Sequence, residues 1–154
     1  MEELDFESLA FDFFREFARC EYCLKAVGLR EKGRDAKANW GAFSSEVREV
    51  LESAESAELK AAVDYYLEKS PKKQIVKDGQ LDWDPKLPDH AHQAELILRL
   101  VCRVRNNLFH GGKFNGHVFA PQRSEELLRH GLVIIRNCVA KHPKVHEAYV
   151  CRAV

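Results

Sequence analysis

The chain has 154 residues, of which 45% are hydrophobic and 31% charged, a composition that excludes a disordered chain and lets a single domain over residues 1–154 bury its own core without disulfides or metals. Its 24 basic residues balance 24 acidic ones, so no global field draws it onto nucleic acid or anionic lipid, and any such binding has to come from a local patch. No apolar run approaches the roughly 18 residues of a membrane span. The odd set of five cysteines, Cys20, Cys23, Cys102, Cys138 and Cys151, is scattered through helical patterns, and "MEELDFESLA" lacks a basic region followed by an apolar core. Both point to a cytoplasmic protein with reduced thiols and no membrane partner.

Apolar residues at threes and fours predict a first helix over residues 4–27, with Asp5 or Ser8 as N-cap and Gly28 as stop. "GLREKGRDAKAN" reads as a loop. "WGAFSSEVREVLES" and "SAELKAAVDYYLEKS" follow with helical spacing on either side of a weak break at Ser53 to Ser56, forming two helices or one bent one. Pro71 ends that region. Asp78-Gly79, between two short apolar–polar alternations, then predicts a small hairpin-like excursion near residues 73–84. The chain returns to helix over residues 90–110. Another helix begins at Ser124 as cap and ends at Pro143, and "KVHEAYVCR" forms a short last one. With no repeat or linker, the expected architecture is all-α, an up-and-down bundle of four to five helices.

The helix over 90–110 carries the chemistry. On a helical wheel Leu96, Ile97, Leu100, Val101, Val104 and Leu108 fill one core face, while Arg99, Arg103, Asn106 and His110 form a polar stripe on the other side. Arg105 falls between the core face and a second apolar strip of Leu98, Cys102 and Phe109. A charge placed there needs a partner, and a symmetric homodimer through this helix supplies one. Histidine can take a proton from a ribose 2′-hydroxyl and return one to a leaving oxygen. Arginine can hold the charge that develops on phosphorus. Asn106 is placed to fix the imidazole or bond the phosphate, and Gly111-Gly112 stop the helix and admit a substrate backbone.

The spacing alone says little, because twelve arginines and seven histidines produce an Arg-x4-His pair by chance in about half of such chains. Arg136 with His142 and Arg123 with His130 are decoys with one and two more intervening residues. The fuller string is more telling: "RNNLFHGGK", Arg105 to Lys113, resembles the signature of the HEPN (higher eukaryotes and prokaryotes nucleotide-binding) superfamily, arginine, asparagine, three variable residues and histidine near the end of a long helix. "ARCEYCLKAVGLREKGRDAKANWGAF" is similar to stretches of bacterial members of uncharacterised function.

The resemblance implies an all-helical, dimeric, metal-independent endoribonuclease of the toxin or phage-defence kind. It implies RNA as substrate, an antitoxin or defence protein as a further partner, and no cofactor. Arg105 and His110 are then catalytic with Asn106 orienting them, and Arg99, Arg103 and Lys113 are substrate contacts. Members silenced by nucleotidylation resemble Arg-x4-His-x-Tyr, whereas Gly112 stands at the last position here. Other members are catalytically silent modules that bind RNA, nucleotide or a partner protein, which is the alternative reading.

The remaining motifs read as structure. Cys20 and Cys23, i and i+3 on one helix without a second ligand pair, are packing residues rather than a zinc site. His90 and His92 do not share a face and are helix-start residues. Trp40, Tyr65 and Tyr66 belong to packing, and Lys72, Lys73 and Lys77 beside Trp83 form a solvated loop rather than an RNA edge. There is no phosphate-cradling glycine loop, nucleophile elbow or paired-carboxylate signature.

Overall fold

The computed structural model describes residues 3–109 and 121–151. Among these residues it is mostly helical, with seven helices and one two-stranded antiparallel sheet: α1 (Glu3–Ala26), α2 (Trp40–Glu46), α3 (Arg48–Glu52), α4 (Ala57–Glu68), β1 (Lys73–Lys77), β2 (Gln80–Asp84), α5 (Gln93–Phe109), α6 (Pro121–Lys141) and α7 (Pro143–Val150). No helix of the described residues is long and apolar enough to cross a membrane.

Burial follows the helical repeat. Phe13, Phe17, Cys20 and Leu24 of α1 are all buried, at spacings of four, three and four. The helix ends where a glycine lets it: Gly28 has φ +93°, and the Leu29 and Gly28 amides turn back onto the carbonyls of Leu24 and Lys25 at 2.9 and 3.4 Å. The following loop closes on itself, since the Asn39 amide bonds the Leu29 carbonyl at 2.9 Å. Asn39 is thereby delivered to cap α2, its side chain accepting the Ala42 amide at 2.9 Å.

Some of the expected boundaries move, and the helix expected from residue 90 begins at Gln93, behind its cap His92. The stretch from Trp40 to Ser70 makes three helices rather than two or one bent one, because buried Val47, at φ −107° and ψ 17°, turns the chain so that α2 and α3 both pack on α5. The break expected at Ser53 to Ser56 is present, with Ser56 capping α4 through the Leu59 amide at 3.1 Å. Ser124 is not a cap: α6 begins at Pro121, whose fixed φ suits a first turn, and Ser124 lies buried within it. Pro143 ends α6 and also starts α7, which is capped by His142 Nδ1 accepting the Val145 amide at 3.2 Å. Among the described residues there are therefore seven helices where four to five were expected.

Helix α6 is the centre of the molecule, packed between α1 and α4, and α7 folds back onto α1 and α6. The predicted core face of α5 is buried, and so is Leu98, at 0% exposure. The hairpin is where the Asp78-Gly79 pair puts it. Both residues have positive φ, +51° and +75°, as a two-residue turn of matching twist requires, and Val76 pairs with Leu81 and Lys73 with Asp84.

Candidate functional site

The polar side of α5 is organised from its first turn. His92 caps the helix, Nδ1 accepting the Glu95 amide at 3.2 Å, and Glu95 reaches back to the Ala91 amide at 2.7 Å. The other Glu95 oxygen holds Arg99, one turn on, at 2.9 Å. The Ala91 amide and the Arg99 guanidinium keep this carboxyl below the usual range, against the opposing pull of burial. Gly41 lets α2 approach closely here, because a Cβ on it would stand 2.7 Å from a Glu95 carboxylate oxygen.

Arg103 and Asn107, one turn apart, hold the base of the hairpin. Arg103 Nη1 donates to the carbonyls of Lys86, just beyond β2, and Pro71, just before β1, at 2.9 and 3.2 Å. Asn107 Nδ2 donates to the Lys72 carbonyl at 2.9 Å. Burial pulls the Arg103 guanidinium below its usual value, with Asp84 opposing. The stripe expected to contact substrate therefore gives part of its capacity to fold.

Arg105 bridges α5 and α1. Its Nη1 donates to Asn106 Oδ1 at 2.9 Å, its Nη2 lies 3.8 Å from the Glu21 carboxylate, and its guanidinium stands 5.3 Å from the centre of the Phe17 ring. The partner that the sequence sought in a second chain is present within this one. Of the second apolar strip, Leu98 is fully buried, and Cys102 packs against the core with its thiol pushed up to about 12 by burial.

These residues line one cleft of about 540 Å³. Arg99, Arg103, Arg105 and Asn106 come from α5, Glu21 and Phe17 from α1, Trp40 from α2, and Lys73 and Gln74 from β1. Four of the residues read from the sequence as catalytic or substrate-binding thus share a cleft, while His110 and Lys113, like Gly111 and Gly112, lie outside the described residues. Glu21 and Gln74 carried no signal in sequence, Trp40 was read as packing, which its stacking on Phe17 bears out, and Lys73 was read as solvated. The cleft can take an anion at Arg105 and Lys73, and its buried Cys102 thiol, held protonated, is no nucleophile.

A second constellation imitates a hydrolase triad. Ser45 Oγ lies 3.3 Å from His92 Nε2, and Glu52 lies 3.6 Å from His92 Nδ1. The Glu95 amide bonded to Nδ1 leaves the ring proton on Nε2, so this imidazole donates to Ser45 and cannot take its proton. It is a helix cap. His142 is the same device, and Arg136, its decoy partner in sequence, sits 3.7 Å from Glu16. Cys20 and Cys23 are buried with their thiols raised by burial, and the described residues contain no cluster of three or more His, Cys, Asp or Glu fit for a metal.

No family model, curated protein or solved structure matches this chain.

Proposed function

We propose that this chain is a metal-independent endoribonuclease of the HEPN type, with Arg105 stabilising the transition state, Asn106 orienting, and His110 as general acid/base. The observation that carries the reading is the Arg105–Asn106 pair, hydrogen-bonded at 2.9 Å and lining a cleft that also holds Arg99, Arg103 and Lys73. His110 follows α5 directly in sequence. In the proposed reaction His110 takes the proton of a 2′-hydroxyl, the 2′-oxygen attacks phosphorus, and the 5′-oxygen leaves with a proton returned by the histidine, giving a 2′,3′-cyclic phosphate. The Arg105 fork meets the charge that develops on the phosphoryl oxygens. The homodimer and the antitoxin or defence partner belong to the same proposal through the resemblance.

One observation favours the alternative, a silent HEPN-like module that binds RNA, nucleotide or a protein: Glu21 sets a fixed negative charge 3.8 Å from Arg105, where a phosphate charge would gather. Cleavage of an end-labelled RNA pool in EDTA separates the two. Wild type is expected to leave cyclic phosphate ends, and Arg105→Ala and His110→Ala to lose at least about 2 kcal/mol of rate, a factor of ~30 or more. RNA bound by wild type and by His110→Gln alike, with no cutting by either, overturns the nuclease and establishes the silent module.

A further inference from the structure

The cleft offers more than cations. Trp40, the first residue of α2, is half-buried and lines it. One face of the Trp40 ring is stacked on Phe17, with centroids 5.1 Å apart and planes at 27°, and Phe17 in turn lies beneath the Arg105 guanidinium. The indole is held from its backbone as well, since Asn39 caps the helix beneath it and Gly41 seats that turn against Glu95 and Arg99. A large aromatic that is locked in place and still borders a polar cleft is a preformed stacking platform. The hairpin wall is fixed too: Lys73 and Gln74 enter the cleft from a strand whose base is tied to α5 through Asn107. Gln74 brings an amide with both donors and an acceptor, the kind of group that reads a base edge, and Lys73 brings a cation for the adjoining phosphate.

We propose that the Trp40 side of this cleft is a subsite for one unstacked nucleobase, with Gln74 at its edge and Arg105 and Lys73 on the flanking phosphates. The proposal rests on the nuclease reading and deepens it. A volume of about 540 Å³ lies within the several hundred cubic ångströms that small-ligand sites occupy. A base inside a duplex has both faces stacked and cannot lie on Trp40 unless it is flipped out, so the subsite makes unpaired nucleotides the preferred ones at this position.

The test uses the full chain carrying Trp83→Phe and His110→Ala, which leaves Trp40 as its one tryptophan and keeps RNA whole. Its emission is followed while short single-stranded RNA, the same RNA as a perfect duplex, and a single strand with abasic sugars are titrated, with binding read separately by electrophoretic shift. Quenching by the single strand, with little by the duplex or abasic strand, is the expected result. Trp40→Leu is expected to weaken single-strand binding by about tenfold, and because that change also removes the Phe17 stack, the quenching stands as the readout independent of folding. RNA bound with Trp40 emission unchanged overturns the subsite and leaves the nuclease reading to its own cleavage test. RNA bound by no form overturns both.

Discussion

At Gly131, in the middle of α6, a Cβ would stand 2.6 Å from Tyr66 Oη and 2.8 Å from Phe13 Cε2. Neither neighbour can step aside easily. Both are fully buried, and Tyr66 donates to the Leu127 carbonyl at 2.6 Å, with burial pushing its phenol far up so that it stays a donor. Alanine returns up to about 1 kcal/mol of helix propensity at such a site, whereas forcing a methyl group into a packed core costs roughly 1–3 kcal/mol. Gly131→Ala is therefore expected to be net destabilising, by about 1 kcal/mol, read as a lower urea midpoint at unchanged slope. In a Tyr66→Phe background the nearer clash is gone, so the two changes are expected to be less costly together than their sum; strict additivity in that cycle would mean that Gly131 is not a contact glycine. Sequence could not show this. A glycine in a helical pattern announces a penalty, and its reason lies in residues on α1 and α4. Arg105 illustrates the same limit: the wheel shows that it needs a partner, but not that Glu21, far back in the chain on α1, lies beside it.

An isolated two-stranded hairpin is marginal in water, so β1 and β2 depend on what holds their base. That anchor is the Arg103 and Asn107 pair on α5, with three hydrogen bonds to backbone carbonyls on either side of the hairpin. Arg103→Ala removes two of them and leaves both carbonyls in search of a partner. Amide exchange in β1 and β2 is expected to quicken by about tenfold, for roughly 1–2 kcal/mol of local stability, while the buried centre of α5 keeps its protection. Asn107→Ala should act in the same direction, and unchanged hairpin exchange in both variants would show that the strands stand without the clamp. The hairpin itself was legible because its signal is local, two residues that tolerate positive φ between alternating strands. The role of Arg103 was not, because its acceptors are main-chain carbonyls that any sequence possesses. The helix starts show the same division: Ser56 was readable as lying in a break, whereas His92 and His142 cap through a ring nitrogen that capping rules based on hydroxyl, carboxylate and amide side chains pass over.

Over the whole molecule the charges cancel, 24 against 24, so under the proposed function the attraction for RNA comes from a local patch, and the cleft is the one proposed. Its cations do not all count fully. Arg99 is paired with Glu95, Arg103 gives one nitrogen to two carbonyls, and Glu21 answers Arg105. Two or three phosphates is then the number the cleft can neutralise, and each phosphate on a single strand contributes about 0.7 to the slope of log affinity against log salt. Titrating single-stranded RNA against the His110→Ala chain from 50 to 200 mM salt is expected to cost roughly seven- to twentyfold in affinity. Lys73→Ala should flatten the slope by one phosphate's share, since Lys73 lines the cleft and the clamp on the hairpin base is made by the Arg103 and Asn107 side chains. A much steeper loss, of a thousandfold or more, is what a broad basic face would give. It would move RNA off the cleft altogether, because no single cleft with three partly answered arginines and one lysine can release so many counterions.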